Sequence, residues 1–191
     1  MAAQRSENIN EIILDTAEEL LKENSFSEVT LAKIAEKANI SKGTLYYYYK
    51  SKNEILFAVT DRYLSRQWDE LIQWTENKEK DTSPHRLVNY VIERNIAYSG
   101  LRLHLFDAAL LGDEEIRAKL IRRYDEFQKL ISSKIAERTD RVSADYFTWL
   151  ILTVSDGIII QNSLKNDAFD TQQFLKQSAE YIKKFENMHK A

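Results

Sequence analysis

Residues 29–52 of the chain read VTLAKIAEKANISKGTLYYYYKSK, and the pattern of these residues is the most informative in the chain. Its apolar spacing predicts two short helices, one on each side of Asn39. Thr30 and Ser41 precede them, and both are residue types that cap the start of a helix. Asn39 tolerates the left-handed backbone that ends many helices. Two short helices joined by a tight turn and preceded by a longer helix, residues 6–23, form a helix-turn-helix.

The second short helix carries the surface that predicts a function. Leu45 and Tyr49 lie four residues apart and can pack inward, which leaves the opposite face exposed. The helix begins with Ser41-Lys42-Gly43-Thr44, where backbone N–H groups can meet a phosphate and a glycine allows close approach to a duplex. Lys42 and Thr44 can reach base edges, and three further tyrosines add ring area and hydroxyl groups.

Charge separates this stretch from the rest of the chain. The whole protein has a net charge of −3, whereas residues 29–52 contain five lysines and one glutamate. A basic segment inside an acidic protein is a candidate electrostatic footprint on nucleic acid. A solvated lysine face would have the same composition, so charge alone leaves both interpretations open.

Composition places the remaining chain in the all-α class. The 191 residues include only four glycines and one proline, too few for the turns of a sandwich or an alternating α/β fold. About nine helices are expected. The absence of cysteine excludes disulfides and fits a cytoplasmic protein, and the first residues do not resemble a signal peptide. The apolar stretch 146–164 contains Asp156 and several hydroxyl and amide side chains, which favours a buried helix over a membrane span.

The stretch from Ile13 to Leu56 resembles the DNA-binding domain of TetR-type transcriptional regulators. The matching elements are Ala17 and Leu20-Leu21, Val29-Thr30, Ile34-Ala35, and the block from Ile40 to Lys52. Asn24 and Asn39 stand where the family usually has glycine, and Tyr49 stands where it usually has phenylalanine. With the basic segment, the resemblance implies a DNA-facing set of Thr30, Lys33, Ser41, Lys42, Gly43, Thr44, Tyr46, Tyr47, Tyr48 and Lys52.

The resemblance also implies an organisation for the whole chain. Residues 1–52 would form the helix-turn-helix domain, with the motif at about residues 30–49, and residues 53–191 a larger helical domain for ligand binding and dimerisation. Such a protein would be a repressor that binds a palindromic double-stranded operator as a homodimer and is released by a small molecule. For this chain we expect the small molecule to be apolar. It requires no cofactor.

The apolar stretch 146–164 independently favours a dimer. A helix that is apolar nearly all round is buried on two sides, here by its own core and by a partner chain. The last helix, predicted from Thr171 to Lys190, would complete a four-helix interface. The residues predicted for the interface are Phe147, Ile151, Val154, Ile158, Phe174, Tyr181 and Phe185.

The ligand pocket is predicted from polar groups among aromatic side chains. Asp156 stands out because a charge inside an apolar helix needs a partner, which could be a cationic ligand or an arginine of the protein. The predicted lining is Arg94, Tyr98, His104, Asp107, Tyr124, Trp149, Asp156 and Gln161. Aromatic side chains at helical spacing are also what an ordinary core contains.

Two other classes of function compete with DNA binding. A helical-bundle enzyme would need a catalytic or metal-binding constellation, and the chain has three histidines, no cysteine and no Glu-x-x-His sequence, so we predict neither catalysis nor a metal site. A helical protein-interaction module would gain nothing from five lysines beside one acid in residues 29–52. The sequence therefore favours a DNA-binding regulator.

Overall fold

A computed structural model describes residues 2–24, 27–96 and 99–188, without the side chains of residues 2–7, 22, 95, 99–101 and 185–188. Over these ranges the chain forms nine helices and no strand, which confirms the all-α prediction. The helices are α1 (Ala2–Glu23), α2 (Leu31–Lys37), α3 (Lys42–Tyr48), α4 (Lys52–Glu76), α5 (Pro84–Ile96), α6 (Ser99–Leu110), α7 (Glu114–Ala136), α8 (Ala144–Ser163) and α9 (Thr171–Met188).

The chain packs into two units. The first comprises Met1–Leu64 and His104–Arg117. Its core is built from the apolar faces of long and short helices, which bury side chains that would otherwise be exposed to water. The side chains buried there include Ile13, Ala17, Ile34, Leu45, Ile55, Leu56 and Leu105.

The second unit comprises Ser65–Leu103 and Ala118–Ala191. In it α5 packs against both α8 and α9. One cluster of buried apolar side chains joins these helices to α7, and it contains Leu87, Val91, Ile131, Ile135, Ile151, Leu152, Ile158 and Leu175. Trp74 stacks on Tyr90 beside this cluster, with ring centroids 4.5 Å apart. The sequence-predicted boundary at residue 52 remains a prediction.

Helix ends follow local side-chain chemistry in most places. Ser143 caps α8 and accepts the Tyr146 N–H at 3.4 Å, and Asp113 caps α7 through the Ile116 N–H at 3.1 Å. Lys165 takes a positive φ of 51° directly after α8. That conformation ends a helix by turning the chain out of its axis.

The start of α1 differs from the prediction. The sequence pattern began this helix at residue 6, whereas the structure begins it at Ala2. Ala2, Ala3 and Gln4 are good helix formers, so nothing stops the helix at Ser6. At the other end, Asn24 keeps a helical hydrogen bond from its N–H to the Leu20 carbonyl at 2.9 Å and does not adopt a positive φ.

Across the described ranges no helix is both long enough and apolar enough to span a lipid bilayer.

Candidate functional site

The turn between α2 and α3 is fixed by backbone and side-chain hydrogen bonds. Thr30 Oγ1 accepts the Lys33 N–H at 3.2 Å, and Ser41 Oγ accepts the Thr44 N–H at 3.0 Å. Asn39 has φ 53°, and the Ile40 N–H reaches back to the Ala35 carbonyl at 3.0 Å. These are the predicted caps and the predicted left-handed residue, so the sequence determines this turn locally.

Two side chains hold α3 against the rest of its unit. Leu45 is fully buried, as its spacing predicts. Tyr49, the residue after the helix, is half-buried and donates its hydroxyl to Asn10 Oδ1 of α1 at 2.7 Å. Burial raises the pKa of Tyr49 to about 12, since the phenolate would lose its hydration.

The opposite face of α3 is open to solvent. Lys42 and Gly43 are exposed, Tyr46 is 48% exposed and Tyr47 is 77% exposed. Tyr47 meets the half-buried Tyr48 edge to face, with ring centroids 5.3 Å apart. A tyrosine with three quarters of its surface in water gains little from its own fold, so most of the Tyr47 side chain is available to another molecule.

Gly43 has no packing reason to be a glycine. A Cβ built at this position would have Ser41 Oγ as its nearest neighbour at 3.7 Å, an ordinary contact. A glycine inside a helix costs about 1 kcal/mol relative to alanine. Without a Cβ, the exposed backbone at Gly43 is open to close approach by another molecule.

One part of the predicted phosphate site is used inside the chain. Ser41 Oγ accepts the Thr44 N–H and also lies 2.8 Å from Thr44 Oγ1. The start of α3 is therefore partly capped by its own serine. The whole predicted set lies on one unit: Thr30, Lys33, Ser41, Lys42, Gly43, Tyr46 and Tyr47 are exposed, and Thr44, Tyr48 and Lys52 are half-buried.

The chain leaves α3 through a second capped turn. Ser51 Oγ accepts the Glu54 N–H at 3.1 Å, and the Glu54 carboxylate accepts the Lys50 N–H at 2.6 Å. This reciprocal pattern is a variant of the capping box. Lys50 Nζ donates to the Tyr46 carbonyl at 2.8 Å, so this lysine stabilises the end of α3.

Helices α1 and α4 are joined by one arginine. Arg62 donates to Glu11 at 3.0 Å, to Asp15 at 2.7 Å and to Glu18 at 2.7 Å. The three carboxylates lie along one face of α1. Although burial lowers the pKa of Arg62, their hydrogen bonds more than offset it and the pKa is raised. The sequence analysis did not identify this ion-pair cluster.

In the second unit, Asp156 has its partner within the chain. Arg102, which is 7% exposed, donates to Asp156 Oδ1 at 3.0 Å, and the Tyr124 hydroxyl donates to Oδ2 at 2.5 Å. Burial raises the pKa of Asp156 despite the neighbouring guanidinium, and burial also raises the pKa of Tyr124. Trp149 stacks on Tyr124 with centroids 6.5 Å apart.

Arg102 was not predicted from the sequence, although the sequence contains a signal for it. An arginine in the apolar run 101–111 needs a partner as much as an aspartate in α8 does. Three of the predicted pocket residues, Tyr124, Trp149 and Asp156, do lie together with Arg102.

The other predicted pocket residues do not join this group. Arg94 lies over the Tyr90 ring and pairs with Glu70 at 3.3 Å. Gln161 accepts a hydrogen bond from Asn166 at 2.7 Å. His104 and Asp107 belong to the first unit and are exposed, and Tyr98 lies outside the described residues. A groove of about 370 Å³ runs between α5 and α9, lined by charged and polar side chains that include Arg86, Asn89, Glu93, Lys176 and Lys183.

The faces of α8 are distributed differently from the predicted interface. Ile151 and Ile158 are 2% exposed each and belong to the chain's own core, and Phe147, Val154 and Phe174 pack against that core. The physical reason is that α8 is apolar on several faces, so helical periodicity alone does not decide which face packs into the core. Tyr181 of α9 is 69% exposed, and the side chain of Phe185 is not among those described.

A second stripe of α8 faces solvent, and we call it the outer α8 stripe. Most of its members are three or four residues apart along the helix, and the last is the C-cap residue of α8. They are Tyr146, Trp149, Leu150, Thr153, Gly157, Ile160 and Leu164.

The comparison with known proteins agrees with this geometry. The family model described as bacterial regulatory proteins, tetR family, matches residues 13–59. The fatty acid metabolism regulator protein of Bacillus subtilis is 31% identical over 72 residues, which is 36% of this chain and 37% of that protein. The match therefore covers little more than a third of that relative.

Two further proteins match over most of their length. The HTH-type transcriptional regulator BetI of Serratia proteamaculans is 24% identical over 89% of this chain and 88% of its own. The crystal structure of a transcriptional regulator from Saccharomonospora viridis in complex with choline has a TM-score of 0.74 at 17% identity. It covers 93% of this chain and 96% of its own. This structural likeness shows that the fold is shared.

Proposed function

We propose that this chain, which belongs to the TetR family of bacterial transcriptional regulators, is a repressor that binds a palindromic operator as a homodimer and is released by a small molecule. The observation that carries the proposal is the exposed face of α3. Lys42, Gly43, Tyr46 and Tyr47 face solvent there, while Leu45 is buried beneath them. A helix fixed from behind and exposed in front suits the major groove.

The proposed DNA contacts divide by chemistry. Lys42 and Lys52 supply the positive charge that phosphates attract, and Tyr46 and Tyr47 supply hydroxyl groups and ring surface for the backbone and the bases. Thr30, Lys33, Ser41, Gly43, Thr44 and Tyr48 complete the proposed surface. The remainder of the chain is acidic, which reduces adhesion to unrelated DNA.

The outer α8 stripe supports the homodimer. Trp149 is 48% exposed, Ile160 is 46% exposed and Leu164 is 69% exposed, so an apolar surface would be left in water in a single chain. Gly157 lies in the same stripe, and a Cβ there would meet nothing within 4 Å. A second copy could approach closely at this glycine. We assign the interface to this stripe and to Tyr181, in place of Ile151 and Ile158.

An apolar effector is the class that we propose for the second unit. Asp156 is already neutralised by Arg102, so a ligand need not bring a positive charge to it. The choline bound to the Saccharomonospora viridis regulator and the fatty acid metabolism named for the Bacillus subtilis protein give two probes to compare. We favour a fatty acid or a similarly apolar molecule over choline.

The organisation proposed for the chain follows from these assignments. Residues 1–52 carry the DNA-binding domain and residues 53–191 the regulatory and dimerisation domain. A regulator of this kind acts in the cytoplasm, where it meets the chromosome. The family and the relatives are transcriptional regulators rather than enzymes, which confirms the expectation that the chain is not an enzyme.

The test begins with selection of duplexes from a random pool by the full chain. We expect enrichment of a two-fold symmetric sequence and a gel shift that competing operator, but not scrambled DNA, abolishes. Addition of palmitate should then reduce the shift, whereas choline should not. Failure to enrich any sequence would contradict the DNA-binding proposal, and release by choline alone would contradict the effector class.

A further inference from the structure

The recognition helix α3 is connected to α1 by a hydrogen bond that its apolar packing does not require. Tyr49 already places its ring against the unit, as the usual phenylalanine would. Its hydroxyl donates to Asn10 Oδ1 at 2.7 Å, across 39 residues of sequence. The tyrosine backbone adds a second constraint, because its N–H donates to the Leu45 carbonyl at 2.9 Å. The hydroxyl therefore fixes the last turn of α3 to a defined place on α1.

Helix α1 is itself held in place at that point. Glu11, the neighbour of Asn10, accepts a hydrogen bond from Arg62 of α4 at 3.0 Å. One turn further along, Asp15 accepts from the same guanidinium at 2.7 Å. Ile13 and Ala17 on the inner face of α1 are completely buried. Asn10 is thus an acceptor on a rigid support.

The pKa of Tyr49 depends on burial and on charged groups of the neighbouring helices. Burial raises its pKa, and the charges of Glu11, Arg62 and Glu54 all act on the phenol. Glu54 belongs to the capped turn that starts α4, and Arg62 lies farther along that helix. Charged residues of α1 and α4 therefore lie close enough to the Tyr49 hydroxyl, at the end of α3, to affect its pKa.

We propose that Asn10 is a positioning residue for DNA recognition, which acts through Tyr49 to set the orientation of α3. The proposal rests on the DNA-binding function proposed above. Asn10 lies on α1, outside the proposed DNA-contact set, so it contributes by limiting the orientations of α3 before DNA arrives. A helix that samples several orientations binds with an apparent affinity reduced by the fraction that is competent. When α3 samples several orientations, contacts to specific bases lose more affinity than contacts to the phosphate backbone, because the phosphates are the same along the duplex.

The test uses variants of the full chain that remove or keep one partner of this hydrogen bond. Tyr49→Phe keeps the ring and removes the hydroxyl, Asn10→Ala removes the acceptor, and Asn10→Asp keeps an acceptor oxygen. Tyr90→Phe, at a half-buried tyrosine of the second unit, is the matched control. Each variant is measured for binding to the selected operator and to a scrambled duplex over a range of salt concentrations. Circular dichroism and urea unfolding report the fold.

We expect Tyr49→Phe and Asn10→Ala to lose about three- to tenfold in operator affinity, the size of one hydrogen bond. Binding to scrambled DNA and the salt slope should change little, so the specificity ratio falls. The double variant should lose no more than either single variant, because both remove the same bond. Asn10→Asp and the Tyr90→Phe control should keep the ratio of the unmodified chain.

Three results would overturn the assignment. An unchanged specificity ratio in Tyr49→Phe and Asn10→Ala would show that the bond does not position α3. An equal loss for both duplexes with a smaller salt slope would show that Tyr49 contacts phosphate itself. If Tyr49→Phe does not fold, equal ratios in Asn10→Ala and Asn10→Asp would reject the proposal. Absence of selective binding by the unmodified chain would instead contradict the proposed function.

Discussion

Arg102 donates to Asp156 Oδ1 at 3.0 Å, and this pair supplies a counter-charge for the one charged side chain of α8 beyond its first turn. Arg102 is 7% exposed, whereas the Asp156 side chain is 26% exposed. The Tyr124 hydroxyl donates to the same carboxylate, and the Trp149 ring stacks on the Tyr124 ring. Arg102, Asp156 and Tyr124 therefore form one hydrogen-bonded network, and its members depend on one another.

The dependence predicts the result of removing the arginine. Arg102→Met should lower the free energy of unfolding at neutral pH by about 3 kcal/mol, because it leaves a buried carboxylate without its counter-charge. Replacement of both partners in Arg102→Met/Asp156→Leu should recover most of that loss. Urea unfolding followed by circular dichroism measures both values. A double variant as unstable as the single one would show that the charges are not the cause.

The same carboxylate predicts a pH dependence of stability. Burial raises the pKa of Asp156 above its usual 3.8, so the folded chain holds this proton more tightly than the unfolded chain. The stabilisation is complete below the usual pKa and is lost as the pH rises through the raised pKa. The unfolding free energy of the unmodified chain minus that of Asp156→Asn should fall as the pH rises above the usual 3.8 and through the raised pKa. A difference that rises with pH would contradict the assignment.

Tyr49 predicts a late step in the alkaline titration. Burial raises its pKa to about 12, so its neutral form contributes stability that is complete below the usual 10.0 and lost as the pH approaches 12. Of the ten tyrosines, only this one is removed in Tyr49→Phe. The difference in phenolate absorbance between the two chains, read by rapid mixing while the fold persists, should show a midpoint near the raised value. A midpoint near 10.0 would mean that the ring is hydrated.

The lysines of the proposed DNA surface predict a change in salt dependence. Lys42→Ala and Lys52→Ala should each weaken operator binding and reduce the slope of log affinity against log salt by about 1, if each lysine neutralises one phosphate. Lys80→Ala, in the exposed loop between α4 and α5, is the control. Gel shifts at several salt concentrations provide the slopes. Full affinity in the Lys42→Ala/Lys52→Ala double variant would reject this surface.

The outer α8 stripe predicts how a charge affects assembly. Ile160→Glu should shift the mass in light scattering from that of two chains to that of one, because dimerisation would bury an unpaired carboxylate. Leu111→Glu, at an apolar residue that is 80% exposed outside the stripe, should leave the mass unchanged. If Ile160→Glu still has the mass of two chains, the interface lies elsewhere.

Local chemistry explains what the sequence could predict. The caps at Thr30, Ser41 and Ser143 and the left-handed Asn39 depend on residues within a few positions of each other, so they are visible in a single sequence. The buried position of Leu45 follows from helical spacing in the same way.

Long-range pairing explains most of what it could not. The sequence indicates that Asp156 needs a partner. Arg102 is 54 residues away along the chain, and only the tertiary fold brings it next to Asp156. Asn10 and Tyr49 are likewise separated by 39 residues. The face of α8 that enters the core could not be predicted for another reason. When almost every face of a helix is apolar, periodicity cannot decide which stripe enters the core, and Ile151 was assigned to the wrong side.

The shortness of α3 has a consequence for how much information one chain can read. Seven residues make a helix about 10 Å long, which spans roughly three base pairs of B-DNA. A word of three letters from a four-letter alphabet recurs about once in every 64 positions, whereas a genome offers about a million or more competing sites. A single copy of this helix could never address one gene. Two copies held at a fixed spacing recognise two such sites together, and the pair of sites occurs by chance much less often than either site alone. The outer α8 stripe, by holding two copies together, would therefore contribute to sequence specificity as much as the tyrosines of α3 do.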